Sequence, residues 1–176
     1  NERLLVLVRD LLSVSKIDEG RVRDDPIMVN LIELLKEVIK EMKVLAIEKN
    51  IAIDFKASNG IPNILIDAMR FQEVVKNLIS NSIKYNSKNG KVLVKLRAKN
   101  KKITIDIIDD GIGISKEDKK KLFTKFFRAE NAIKNDPEGS GLGLYVAKQY
   151  VELWKGKITV KSKEAVGSTF SIILPF

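Results

Sequence analysis

The chain has 176 residues, of which 44% are hydrophobic and 31% charged. That balance excludes a mostly disordered or collagen-like chain, and no run approaches the ~18 apolar residues needed to span a bilayer. Cysteine and histidine are both missing, which rules out disulfides, thiolate chemistry, a histidine base and His-ligated zinc, and leaves any metal to oxygen ligands. The net charge of +9 suits phosphate ligands, nucleic acid or acidic partners. The lysines are dispersed and carry no interleaved aromatics, which weighs against nucleic acid.

In chain order, the first segment has apolar residues at 4, 5, 8, 11 and 12, one helical stripe of heptad-like spacing that ends near Gly20. It suits a core helix, or one arm of a helical hairpin. No basic n-region or apolar h-region opens it, so a signal peptide is not expected. RVRDDPIMVN (21–30) reads as a linker or edge strand. Asn30 followed by Glu33 predicts a helix cap with a capping-box partner, ahead of an amphipathic helix through Leu45. Strands are expected at 51–57 and 63–67, then a helix over 70–84. Segments 91–98 and 102–109 alternate around KNKK and predict a hairpin. A glycine turn at 111–113 leads to a short helix over 116–123, then a long polar loop over 128–141. A helix over 142–154 and a second hairpin, 157–162 with 168–175, complete the pattern. Helices mixed with hairpins predict an α/β (α+β) two-layer sandwich with a mixed, mostly antiparallel sheet.

Three constellations carry chemistry. Asn77, Asn81, Lys84 and Tyr85 share one face of the helix KNLISNSIKY. Two asparagines in an apolar stripe are costly if buried without partners; an Asn carbonyl can ligate Mg²⁺, and a lysine one turn on can meet a phosphate. Taken alone, the pattern also suits capping or solvent-facing asparagines. IIDDGIGI places a carboxylate at a strand end beside Gly111 and Gly113, able to accept from an exocyclic amine; an ordinary Asp-Gly turn is the alternative. In EGSGLGLYVAK, Gly139, Gly141 and Gly143 precede a helix whose free N–H groups can cradle phosphate oxygens. The spacing is neither a Walker A loop nor a Rossmann fingerprint, and a flexible linker would look the same.

In this order the segments resemble a known family. KNLISNSIKY looks like the N box, IIDDGIGIS the G1 box, LFTKFFR the F box, and GSGLGLYVAKQYVELWKGKITVKS with GSTF the G2 region and its sequel. The set is similar to the GHKL ATPase superfamily, above all to the catalytic, ATP-binding domain of sensor histidine kinases. The resemblance covers about residues 25–176. Residues 1–22 resemble the end of the second helix of the dimerisation and phosphoacceptor hairpin, which leaves 23–176 as the catalytic domain.

The resemblance implies a Bergerat fold with ATP and Mg²⁺ between the helical layer and a lid. Asn81 corresponds to the Mg²⁺ ligand, Asn77 to the neighbouring position facing the phosphates, Lys84 to the phosphate-contacting lysine and Tyr85 to the aromatic on adenine. Asp109 resembles the carboxylate that accepts from the adenine amino group. Gly111, Gly113, Gly141 and Gly143 resemble the glycines that shape the pocket and hinge the lid, with Leu142 between them. Arg128 resembles the F-box arginine near the γ-phosphate. Ser140 is placed to donate to a phosphate, Leu144 to pack at the pocket wall, and Thr169 resembles a threonine near the adenine. Asp110 and Ser82 depart from the commonest pattern, which has Asn and Ala there.

Other superfamily members generally carry Glu four residues before the Mg²⁺-ligating Asn, a general base for water or a Ser hydroxyl. Here that position is Asn77, an amide without useful basicity. Slow hydrolysis is expected, and the amide is compatible with the in-line transfer to an imidazole that the resemblance implies, with Asn77, Lys84 and Arg128 as the residues that act on the phosphates. The implied partners are the protein's own phosphoacceptor hairpin, a response regulator receiver domain and a second copy of the full-length protein, with no nucleic acid. The implied location is cytoplasmic, within a parent that can be anchored in the cell membrane. An anti-sigma-type Ser/Thr kinase and a non-catalytic nucleotide-sensing module are the alternatives.

Overall fold

The computed structural model describes residues 2–137 and 139–176, and leaves the side chains of 2–6 and 9 outside the description. Two positions of the first apolar stripe, Leu4 and Leu5, therefore lie outside the described side chains. Helix α1 spans Glu2–Asp18. Its Val14 is buried, while Leu7, Val8, Leu11 and Leu12 stay exposed.

Asn30 caps α2 (Leu31–Glu48) by accepting from the N–H groups of Ile32 at 3.0 Å and Glu33 at 3.3 Å. The reciprocal half of the expected capping box is not made. The Glu33 carboxylate turns outward to Lys36 instead, at 3.0 Å. Asp67 caps α3 (Ala68–Lys84) through the Arg70 N–H, so this helix starts two residues before the apolar stripe suggested. The third long helix, α6, is Gly143–Leu153.

The main sheet has strands β2 (Ala52–Ala57), β4 (Lys91–Lys99), β5 (Lys102–Asp109), β6 (Lys157–Lys163) and β7 (Gly167–Pro175), in the order β2-β4-β5-β7-β6. All neighbours are antiparallel except β2 with β4. Asn100 and Lys101 both take positive φ, +53° and +55°, which closes the β4–β5 hairpin with the twist the strands require. The segment expected as a linker or edge strand forms β1 (Ile27–Val29), which pairs with β3 (Ile64–Ile66) in a separate ribbon.

Alternation then builds the core. Val92, Val94, Leu96, Ile103, Ile105 and Ile107 point to one face and are fully buried there under α2, α3 and α6. Phe71 on α3 is also fully covered and lies 6.0 Å from the ring of Trp154. Burying each such side chain contributes about 1.5–3 kcal/mol. The expected two-layer sandwich is present.

Between β5 and α6 the chain is less regular than the sequence suggested. The expected helix over 116–123 is only α4, Lys116–Lys119, capped by Ser115. The expected loop over 128–141 contains α5, Glu130–Asn135.

Candidate active site

A cleft of about 1750 Å³ opens between α3, the ends of β5 and β7, and the segment 122–144. That volume exceeds a typical small-molecule pocket, because the cleft continues as far as Leu7 and Asp10 of α1.

The α3 face supplies its floor. Asn77, Asn81 and Lys84 line the cleft together with Tyr85, the residue that ends the helix. Asn81 Nδ2 points to Asn77 Oδ1 at 3.5 Å. Gly143 opens α6 directly against Asn77, where an added Cβ would stand 2.5 Å from the amide atoms. Only a glycine lets the N-terminus of α6 approach this amide so closely. The positive end of α6 and the two amides therefore converge on one spot.

Asp109 ends β5 on the cleft side. Its Oδ1 accepts from the N–H groups of Gly111 at 3.0 Å and Ser168 at 3.2 Å, and its Oδ2 accepts from the Ser82 hydroxyl at 3.2 Å. Burial pushes this carboxyl above the usual carboxylate range, those three hydrogen bonds pull it back, and neighbouring Asp110 pushes it up again. A buried, oriented acceptor of this kind is suited to an amino group on a flat heterocycle.

The segment over the cleft is held by charged contacts. Lys84 Nζ stands 3.3 Å from Asp136 Oδ2. The Arg128 guanidinium donates to the carbonyls of Asp136 and Pro137, the latter at 2.9 Å, and so secures the C-terminal end of α5. Ser140 Oγ donates to Asp10 on α1 at 2.7 Å and accepts from the Leu142 N–H at 3.3 Å. Gly113, with φ +67°, allows the turn after β5 to pass against the carbonyl of Lys163.

Most of the residues expected from the sequence thus meet in one cleft: Asn77, Asn81, Lys84, Tyr85, Asp109, Gly113, Arg128, Ser140, Gly141, Gly143 and Leu144 line it. Three do not. Leu142 is fully buried in the core beneath α6. Gly111 packs behind Asp109, against the Tyr85 carbonyl. Thr169 lies on the opposite face of the sheet, since its neighbours Ser168 and Phe170 line the cleft and strand side chains alternate. Ser168 is the residue that stands beside Asp109, and the alternation of STFSIIL already separates it from Thr169. Ser82, noticed in the sequence only as a departure from a pattern, is the hydroxyl that orients Asp109. Asp110 turns from the cleft and anchors the Lys91 N–H at 2.7 Å.

No group of three or more acidic, His or Cys side chains among the described residues is arranged to hold a metal. A Mg²⁺ ion that takes most of its ligands from phosphate oxygens and water needs only one or two protein donors, and the Asn81 amide meets that requirement.

Curated relatives match nearly the whole chain. Histidine kinase P4 of Formosa agariphila is 34% identical over 98% of the chain, which spans 13% of that protein. The signal transduction histidine-protein kinase ArlS of Staphylococcus aureus is 33% identical over 97%, and the chain spans 38% of it. The chain is therefore much shorter than the curated relatives it matches. Among solved structures, full-length ShkA in complex with AMPPNP superposes with a TM-score of 0.88 at 26% identity, covering 98% of this chain and 36% of that one. Histidine kinase ThkA in complex with the response regulator TrrA gives 0.76 at 25%, covering 98% and 48%. Residues 66–176, which hold α3, the cleft and the strands beneath it, match the histidine kinase-, DNA gyrase B- and HSP90-like ATPases, and the chain belongs to that family.

Proposed function

We propose that this chain is the catalytic part of a sensor histidine kinase, binding ATP with Mg²⁺ and passing the γ-phosphoryl group to a histidine on a helical hairpin. In this reading residues 1–22 belong to the end of that hairpin and 23–176 form the ATP-binding domain. The reading is carried by one observation: the cleft position one turn before Asn81 holds the amide of Asn77, packed against the start of α6, where a hydrolytic or Ser-directed enzyme needs a carboxylate. The relatives support it, being named histidine kinases over nearly the full chain. The ShkA complex with AMPPNP supports a nucleotide in the cleft, and the ThkA complex supports a response regulator as the partner that receives the phosphate.

Asp109 accepts from the adenine amino group, with Ser82 and Ser168 holding the carboxylate in place. Tyr85 and Phe170 supply apolar cover in the same cleft. Asn81 contributes a carbonyl ligand to Mg²⁺, which when bound draws the phosphate oxygens together and offsets their charge. Lys84 exchanges Asp136 for a phosphate, Arg128 leaves the α5 carbonyls to face the transferring group, and Ser140 exchanges Asp10 for a phosphate oxygen. The bond from the γ-phosphorus to the β,γ-bridging oxygen breaks, a bond from phosphorus to the imidazole nitrogen forms, and ADP leaves. Asn77 cannot take a proton from water, so hydrolysis stays slow.

The proposed setting is a cytoplasmic domain of a homodimeric, membrane-anchored parent that uses no nucleic acid. The test extends the chain upstream through its hairpin and incubates it with γ-labelled ATP and Mg²⁺. An acid-labile, alkali-stable label is the expected result. An acid-stable label would point to Ser or Thr transfer and overturn the reading. Bound ATP with no label would reduce the chain to a nucleotide-sensing module.

A further inference from the structure

The helices cover only one face of the main sheet. Alternation points Lys91, Lys95, Arg97 and Lys99 of β4 to the other face. Lys56 stands opposite Lys95, and Lys102 opposite Lys99. On the far edge, Lys157, Lys161 and Lys163 of β6 point the same way. Asp54 and Asp106 are the two carboxylates on that face, so it carries seven of the chain's nine net positive charges. Asp106 is paired in place with Arg97 and accepts from the Ser171 hydroxyl at 2.6 Å. Apart from Lys102, which stands on β5 beside Lys99, the basic side chains form two bands on either side of β5 and β7, about 14 Å apart at three strand spacings. That separation exceeds the screening length of about 8 Å at physiological salt, so the bands repel each other little and only a broad partner that covers the whole face meets both.

We propose that this open sheet face docks on an anionic lipid surface. The charge is spread from edge to edge of an open sheet face, as suits a fluid layer of headgroups whose spacing adjusts to the protein. No aromatic side chain of the five strands points to this face, so there is no platform for base stacking, and its lone arginine is committed to Asp106. Ile108 of β5 and Ile173 of β7 lie between the bands, two rows apart with Asp106 and Ser171 in the row between them, and Leu93 of β4 stands beside Ile108. Phe176 is half exposed, its N–H tied to the Lys101 carbonyl beside the basic β4–β5 turn. An interfacial lipid layer accommodates such apolar groups, whereas a phosphodiester backbone does not. Asp109 lies on the other side of the same sheet, so the cleft stays open when this face is occupied.

The test is co-sedimentation of this chain with phosphatidylcholine vesicles, with and without three parts in ten of phosphatidylserine, at about 0.1 M salt. Binding to the anionic vesicles about tenfold or more above the neutral ones, lost at about 0.5 M salt, is expected. The triple variant Lys95→Glu, Lys99→Glu, Lys161→Glu is expected to weaken binding about a hundredfold, roughly fivefold per lysine. The same reversal at Lys36, Lys40 and Lys43, exposed on α2, leaves binding within about threefold. Circular dichroism and the Tm confirm that both variants fold, and Lys→Gln versions repeat the comparison with a milder change. Equal binding to both vesicle types, or equal loss in the two triple variants, overturns the proposal. So does tighter binding to duplex DNA than to vesicles through the same lysines.

Discussion

Asp109 shows how one residue can cost stability and confer binding. Burial raises its folded-state pKa above the unfolded value. A carboxyl shifted in that direction contributes its full stability below the ordinary carboxylate pKa, and the contribution is lost as the pH rises through the folded-state value. At neutral pH the ionised group is therefore a net burden on the fold. Asp109→Asn removes the charge and keeps an oxygen for the Gly111 and Ser168 N–H groups, while its amide can donate to Ser82. The expected outcome at pH 7 is a Tm no lower than that of the unmodified chain, with nucleotide binding abolished in a calorimetric titration. Near-native affinity in Asp109→Asn would remove the adenine role. A Tm lowered by more than about 4 °C, roughly 1 kcal/mol or more at this size, would show that the charge stabilises the fold instead.

At the scale of elements, the covering segment 128–141 is the part least legible in the sequence. Long periodic segments announced themselves: the α3 stripe of Phe71, Val74, Val75, Leu78 and Ile79 is buried as its spacing required. Helix α5 did not, because ENAIKN has six residues, no buried side chain and no side-chain cap at Ala129. What holds it is the Arg128 guanidinium on the Asp136 and Pro137 carbonyls, with Asn131 on the Gly113 carbonyl and Asp136 on Lys84, and no periodic pattern encodes those contacts. The parallel pairing of β2 with β4 was hidden for a similar reason: alternation identifies a strand but not its neighbour. In the site, the family resemblance grouped α3, Asp109 and the glycines, and all of these but Gly111 line one cleft. It missed Ser168 by one residue, and a one-residue error on a strand changes the face. Arg128→Ala tests the brace. The amides of Ile133 and Asp136, bonded to Ala129 and Ala132, are expected to exchange with solvent about tenfold faster. Core amides of β5 should not change. Unaltered exchange in α5 would mean that the guanidinium contributes nothing to its order.

At the scale of the whole molecule, α1 meets the catalytic layer through two apolar side chains, Val14 and the partly buried Ile17, and through polar groups. Val14 is its one buried apolar side chain among those described, and Leu12 is 56% exposed. The polar contacts reach the covering segment, Lys125 just before it, and α6. Asp18 meets Lys125 at 2.5 Å and the Tyr145 hydroxyl at 3.0 Å, and Asp10 meets Ser140. A helix held this way is easily released, because exposed ion pairs contribute little and are screened by salt. The hydrogen bond from Lys125 holds the Asp18 carboxyl below its ordinary range. A depressed carboxylate keeps its contribution above the unfolded pKa and loses it only as the pH falls through the folded value, so docking of α1 should be insensitive to pH near neutrality but sensitive to salt. Raising salt to about 0.5 M, or making Asp18→Asn, is expected to speed amide exchange along α1 several-fold while the Tm moves by less than about 4 °C. Ser140 belongs to the segment over the cleft and Lys125 lies three residues before it, so release of α1 should free that segment too. Faster exchange in both together would show that α1 and the cover respond as one unit. A change confined to α1 would show that the cover keeps its place through Lys84–Asp136 and Arg128 alone.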